Sequence, residues 1–468
     1  MQNSQVIIIG GGPGGYESAI RLHQYGVSCL LIEKERLGGL CLNWGCIPTK
    51  TLVKSAELYS EMLNAENFGL PKPEVTLEYN KVFQRKNAVV EQLAGGIEYL
   101  FSQHDIPVIK ATAVSVAKES GKYIVTISTG ECYSAEYLII ATGSEAKELP
   151  SIKIDEKDIL SSTGMLKLQE LPNELVIVGG GVIGCEFASI FSTFGVQVTL
   201  IEFLPRIMAT EEEEISKRLT RQFKKTGVKV LTNTGVQGIT KKEKRLELIL
   251  SNETTLYADK VLLSVGRKPI NNLNWKGINI KEEKDAILID DFMQTNCDKI
   301  YAVGDVTGKL QLAHTAGKQG LIAVEHIASC LYPEKHSAPK EPLNYINIPR
   351  CTFTHPEIAS VGYTETEAEK KFGEIVTGKF PFSANGKAVA TGNINGFVKT
   401  IARKDTSELV GMHILGPNAA ELIAQGTIMI INKNKAEDID SFVFAHPTLS
   451  EAILEAMEDL QNKSIHKI

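Results

Sequence analysis

Val6-Ile7-Ile8-Ile9-Gly10-Gly11-Gly12-Pro13-Gly14-Gly15, followed by a helix-patterned stretch to about Tyr25 and then by residues 27–32 closing on Glu33, is the segment on which the fold turns. A continuous β-branched run suits a strand buried on both faces of a parallel sheet. A glycine turn between such a strand and a helix lets the backbone approach a pyrophosphate, which rests on the helix N-terminus. The plan recurs at residues 175–178, Gly179-Gly180-Gly181-Val182-Ile183-Gly184, a helical stretch to about Phe194, and residues 196–201 ending at Glu202. In each copy the first glycine precedes the terminal acid by 23 positions. A carboxylate there is placed to accept hydrogen bonds from an adenosine ribose diol. One GxGxxG is a weak signal, since glycine turns also arise for structural reasons. Two complete copies predict two dinucleotide sites, one on Gly10, Gly12, Gly15 and Glu33, the other on Gly179, Gly181, Gly184 and Glu202. Two sites in one chain imply a resident cofactor and an exchanging one. Glu202 would repel a 2′-phosphate and Arg206 is the only basic residue within reach, so NAD is favoured over NADP.

The 468 residues allow about three domains. With 43% hydrophobic and 23% charged residues, the chain is neither disordered, collagen-like nor a small disulfide scaffold. A formal charge of −6 argues against nucleic acid or an anionic membrane as partner. No run approaches the roughly 18 to 20 apolar residues of a membrane span, and no leader pattern opens the chain. A cytoplasmic protein is expected. Between the fingerprints the pattern predicts helices at 50–63 and 77–103 and an alternating, antiparallel-looking run at 108–127. Glu211-Glu212-Glu213-Glu214 reads as the solvated first turn of a helix carried by Ile215, Leu219 and Phe223. Strands are expected at 261–265 and 300–303. From about Leu343, short strands (351–353, 397–401, 409–415) mixed with helices suggest a separate α+β domain.

Eight cysteines are too sparse for a secreted framework, and only Cys41 and Cys46 lie close together. They fall in Gly38-Gly39-Leu40-Cys41-Leu42-Asn43-Trp44-Gly45-Cys46-Ile47-Pro48-Thr49-Lys50. Residues five apart on a regular helix have Cα atoms roughly 8 to 9 Å apart, beyond the ~7 Å reach of a disulfide. A bond between them would need a backbone break, with Gly45 and Pro48 as plausible agents. A chance pair of buried cysteines and half of a zinc site are the other readings. The absence of a second Cys/His pair at ligand spacing disfavours zinc, and no metal is expected.

These motifs together resemble the pyridine nucleotide–disulfide oxidoreductase flavoproteins, most closely the members that oxidise dihydrolipoyl groups with NAD. The resemblance spans nearly the whole chain. It implies an α/β fold with two Rossmann-like domains, for FAD and NAD, and a C-terminal α+β dimerisation domain. The implied limits are 1–147 for the FAD domain, 148–270 for the NAD domain, 271–342 for a central segment returning to the FAD domain, and 343–468 for the interface domain. It implies a redox disulfide between Cys41 and Cys46. Ala141-Thr142-Gly143, where the chain leaves the FAD domain, Asp305 in Tyr301-Ala302-Val303-Gly304-Asp305, Ala313 in Leu312-Ala313-His314, and Ala113 are implied FAD contacts. Val236 and Gly266, in Gly266-Arg267-Lys268-Pro269, are implied NAD contacts.

Lys50 is implied to sit by the flavin, paired with Glu186 where the nicotinamide stacks. In Phe444-Ala445-His446-Pro447-Thr448-Leu449-Ser450-Glu451, His446 is implied to be the base and Glu451 its partner, acting across a homodimer interface. The chemistry has need of such a pair. A dithiol is a poor nucleophile at neutral pH, and a carboxylate on the second imidazole nitrogen fixes the tautomer and stabilises the imidazolium. His355 is expected to be structural. The implied partner is the lipoyl domain of an E2 component or an H-protein. Gly184 and Glu202 depart from an NADPH-dependent glutathione reductase. The C-terminus lacks the cysteine pair of a mercuric reductase. A mainly structural role in a multienzyme complex is the alternative from another class.

Overall fold

The structure is a computed structural model that describes residues 2–71, 73–243 and 245–467. Its first sheet is built around Gln2–Ile9, flanked in parallel by Cys29–Glu33 and Cys132–Ile140. The β-branched run is apolar throughout because each face has its own core. Val6 and Ile8 pack with Ala19, Leu22, Ile322 and Ala323 beneath helices Pro13–Gln24 and Ala313–Leu331. Ile7 and Ile9 pack on the opposite face with Val116, Tyr123 and Val125. The outer edge of Cys132–Ile140 is shared: residues 132–135 pair antiparallel with Lys122–Ile127, and residues 138–140 pair parallel with Ile300–Ala302.

The run at 108–127 departs from its expected antiparallel form. Val108–Lys110 joins the parallel edge beside Cys29–Glu33, and only Ala113–Glu119 and Lys122–Ile127 form a hairpin. The alternation of one short strand carries no information about its partner's direction.

The second fingerprint lies in a parallel sheet ordered Lys229–Leu231, Gln197–Ile201, Glu174–Val178, Lys260–Leu263, Ile159–Leu160. Leu175 and Ile177 face one core, while Val176 and Val178 face another lined by Leu246, Leu248 and Leu250 of a three-stranded antiparallel layer. The two passages of chain between the nucleotide sheets, Ser144–Ala146 and Arg267–Pro269, pair antiparallel with each other. The last sheet is antiparallel throughout, ordered Arg350–Thr352, Glu357–Gly362, Leu409–Gly416, Phe397–Arg403, Ile375–Pro381, with helices Ala419–Ile431 and Glu451–Asp459 packed on it.

The four-glutamate run is not a solvated turn. Glu211 and Glu212 are 3% and 6% exposed, and the helix begins at Glu213. Glu211 pairs with Arg350 at 3.3 Å and Glu212 with Lys399 at 2.8 Å, joining the second nucleotide sheet to the C-terminal domain. Both partners lie more than a hundred residues downstream, so no local signal separates these glutamates from the two that follow.

Gly10 has φ +109°, and a Cβ there would sit 2.2 Å from the Ala141 carbonyl oxygen. Gly10→Ala should therefore destabilise the chain by about 2–3 kcal/mol through overpacking and backbone strain. The check is the urea midpoint, where an unchanged value would contradict this contact.

Candidate active site

The two fingerprints are superposable in chemistry as well as in sequence. Glu33 accepts hydrogen bonds from the Gly11 N–H at 2.6 Å and the Glu35 N–H at 2.7 Å. Glu202 accepts from the Gly180 N–H at 2.6 Å and the Leu204 N–H at 2.7 Å. A Cβ on Gly15 or Gly184 would meet the carbonyl oxygen of Gly10 or Gly179 at 1.9 Å, so each helix start presses directly on its turn. At Gly12 a Cβ would have its nearest neighbour at 3.9 Å, and at Gly181 nothing within 4 Å. The middle glycines thus border open space at a helix N-terminus, the cradle a pyrophosphate needs. Both sites fit a dinucleotide.

The other sequence-chosen residues gather around these cradles. The Ala111 N–H donates to the Glu33 carbonyl, which brings the start of Ala113–Glu119 beside that acid. The Ala141 N–H donates to the Ile9 carbonyl, placing Ala141, Thr142 and Gly143 next to the first turn. Asp305 accepts from the Ser144 hydroxyl, and Arg267 donates to the Ser144 hydroxyl and carbonyl at 2.7 and 2.6 Å. Ala313 opens a helix packed on the first fingerprint helix. The Thr234 N–H donates to the Glu202 carbonyl, which brings Val236 near that acid, and Gly266 turns at φ +115° where its carbonyl receives the Lys147 N–H. Arg206 spends its guanidinium on the Glu211 and Ala209 carbonyls, both at 2.8 Å. Ser144, Arg267 and Gln319, whose side chain accepts from the Gly304 N–H at 2.6 Å, escaped the sequence reading. They lie far apart in the chain, and only Arg267 stands in a recognisable motif.

The break expected near the cysteines falls at Gly45, with φ −146° and ψ −104°, between helices Gly39–Trp44 and Cys46–Leu63. Pro48 lies in the first turn of the second helix, where it interrupts nothing. Backbone contact fixes the first helix to the first fingerprint: the Gly38 N–H donates to the Gly11 carbonyl at 2.8 Å, and a Cβ on Gly39 would come within 2.6 Å of the Gly12 Cα. Cys41 and Cys46 are unbonded and partly buried, where the family resemblance implies a disulfide. The two sulfurs are unlike. The Cys41 hydrogen bond and the Lys50 ammonium bring the Cys46 thiol down to about 7, against its own burial. The hydrogen bond to Cys46, then burial, pushes Cys41 far above the ordinary thiol range.

Lys50 donates to both carboxylate oxygens of Glu186, at 2.9 and 3.1 Å, and lies 4.5 Å from the Phe353 ring centroid. Glu186 is 4% exposed and also accepts from the Phe353 N–H at 2.9 Å. Far along the chain, His446 Nδ1 meets Glu451 at 2.9 Å, and the other carboxylate oxygen accepts from the Thr448 N–H at 2.8 Å. Burial works to raise the Glu451 carboxyl, but the Thr448 and His446 hydrogen bonds outweigh it and hold it below its usual value. The His446 side chain is 79% exposed within one protomer, and no hydrogen bond or ion pair joins it to either cysteine among the described residues.

Residues 4–320 match the pyridine nucleotide-disulphide oxidoreductase family and residues 348–457 its dimerisation domain. The chain belongs to this family. It is 40% identical to a dihydrolipoyl dehydrogenase of Bacillus subtilis (strain 168), covering 98% of each chain, and 38% identical to a mitochondrial dihydrolipoyl dehydrogenase of Pisum sativum, covering 99% of this chain and 92% of that one. LpdA from Mycobacterium tuberculosis, 24% identical, shares the fold with a TM-score of 0.87 over 98% of this chain and all of that one. A Cu(II) complex of the HOCl-induced flavoprotein disulfide reductase RclA from Escherichia coli is 28% identical, with a TM-score of 0.85 over 98% of this chain and 99% of that one. No group of three or more metal-ligating side chains occurs among the described residues, and no helix there is long and apolar enough to cross a membrane.

The remaining cysteines are not all packing residues. Cys29 and Cys185 are buried, Cys132, Cys297 and Cys351 partly so, and Cys330 is exposed. Burial pushes Cys29 up to about 12 and Cys351 up to about 11, which leaves both unreactive. Removing the interactions that favour the Cys46 thiolate should move its titration upward, most in Cys41→Ala and less in Lys50→Met. The pH dependence of Cys46 alkylation in the reduced protein, followed by peptide mass, reads this directly. A midpoint unchanged in both variants would contradict the assignment.

Proposed function

We propose that this chain oxidises protein-bound dihydrolipoyl groups to the lipoyl disulfide and passes the electron pair to NAD. The observation that carries the reading is the Lys50–Glu186 ion pair, which ties the helix of the cysteines to the helix of the second fingerprint. With Gly38 and Gly39 against the first turn, one dithiol adjoins both dinucleotide cradles. FAD would be held by the Gly10–Gly15 turn, Glu33, Ala113, 141–143, Asp305 and Ala313, and NAD by the Gly179–Gly184 turn, Glu202, Val236 and Gly266. FAD supplies a two-electron acceptor for the Cys46 sulfur when bound, and NAD removes the pair as hydride.

The protein's own residues carry the sulfur chemistry. His446 Nε2 takes a proton from one substrate thiol, and the thiolate attacks Cys41 Sγ of the oxidised pair. The Cys41–Cys46 bond breaks, and the Cys46 sulfur leaves as a thiolate beside Lys50. His446 releases that first proton to solvent, takes the proton of the second substrate thiol, and that thiolate attacks the substrate sulfur of the mixed disulfide. Cys41 leaves, recovering a proton from His446, and the lipoyl disulfide is released. The low titration of Cys46 beside Lys50 supports its role as the leaving sulfur. Glu451 orients the imidazole and stabilises its cationic form.

The chain carries a dimerisation domain and works as a homodimer, in which His446 of one protomer serves the cysteines of the other. The exposure of His446 within a protomer supports that arrangement. The lipoyl domain of an E2 component or H-protein is the macromolecular substrate. A division at 1–147, 148–270, 271–342 and 343–468 is supported by the crossing strands Ser144–Ala146 and Arg267–Pro269 near the first two junctions. NAD is preferred because Arg206 is committed to carbonyls, leaving Glu202 to face the ribose.

The purified protein should be yellow, bleached by dihydrolipoamide and restored by NAD but not by NADP. Reduction by NADPH with reoxidation by glutathione disulfide would overturn the assignment. His446→Gln should slow dihydrolipoamide oxidation about 10²–10⁴-fold while NADH-to-dye electron transfer persists. Equal loss of both activities would remove His446 as the base.

A further inference from the structure

The helix Glu451–Asp459 presents two glutamates one turn apart, Glu451 and Glu455, and each meets a histidine through Nδ1. Positions i and i+4 share a helix face. The second pair is His466 with Glu455, at 2.5 Å. The other Glu455 oxygen accepts from the Ser464 hydroxyl and the Ile465 and His466 N–H groups, at 2.5, 3.1 and 3.3 Å. A single carboxylate therefore folds the C-terminal tail back along the helix. Glu455 is 6% exposed, whereas the His466 side chain is 69% exposed. The hydrogen bond and charge of Glu455, with smaller help from Glu451 and Glu458, raise His466 above the usual imidazole value. Of the other charged groups around it, Lys463 pairs with Asp440 and Lys467 with Asp459, while Glu458 has no ion pair among the described residues.

Without its imidazolium, Glu455 would be a second uncompensated carboxylate one turn from Glu451. The base would then respond to a further negative charge. We propose that His466 is a positioning residue for the His446–Glu451 pair: by neutralising Glu455, it keeps the carboxylate one turn from Glu451 from shifting the pH at which His446 releases its proton. This rests on the reading of His446 as the base.

The test is the pH profile of kcat/KM for dihydrolipoamide oxidation by the full-length, FAD-loaded enzyme. A unit charge about 10 Å away across partly solvated surface shifts a titration by about 0.3–0.5 pH unit. His466→Gln should move the acid limb that far upward, making the enzyme about two- to threefold slower below the limb and unchanged above it. The shift should shrink in high salt. His466→Arg restores the charge and should return the limb, as should the double variant Glu455→Gln/His466→Gln, which lacks both partners. A tail of purely structural importance would lower the rate evenly across pH, and an unmoved limb in His466→Gln overturns the proposal. NADH-to-dye activity reports that each variant is folded and loaded. If His446→Gln keeps full dihydrolipoamide activity, the underlying reading fails; if it is inactive while the His466→Gln limb stays put, only this inference fails.

Discussion

The Lys50–Glu186 ion pair is the point at which three distant pieces of the chain meet. Glu186 is buried and takes hydrogen bonds from Lys50 on the cysteine helix and from the Phe353 backbone at the edge of the C-terminal sheet. A buried carboxylate must be matched, because leaving it unpaired costs far more than the pair gains over water. The requirement holds the second fingerprint helix, the cysteine helix and the strand edge in one register. The Glu211–Arg350 and Glu212–Lys399 pairs reinforce that union at a second place.

Each nucleotide cradle is held together by contacts within its own turn. In both, a terminal carboxylate is held by two backbone N–H groups, and the close approach of the last glycine to the first sets the helix start. The middle glycines do the converse job of keeping space free.

Legibility in the sequence followed range. The two βαβ units, the break at Gly45 and the solitary cysteine pair were readable because each depends on residues within a few turns of one another. His446 and Glu451, five residues apart, came through the family resemblance, to which the need of a dithiol for a base adds physical support. Lys50 and Glu186 came only through family resemblance, since nothing local distinguishes either from an ordinary helix residue. The glutamate run at 211–214 misled for the same reason: identical neighbours acquire opposite environments from partners far along the chain. The 108–127 run misled because period-two patterning encodes burial and not strand direction. His466, near the terminus and beyond any motif, gave no signal until the helix placed Glu455 under it.

The short helix carrying Cys41 is stitched to the first fingerprint by its backbone, through Gly38, Gly39, Gly11 and Gly12. The position of the reactive sulfur is therefore inherited from the phosphate turn and not from side-chain packing that could drift independently. Loosening the turn would therefore disturb the first dinucleotide cradle and the Cys41 helix together.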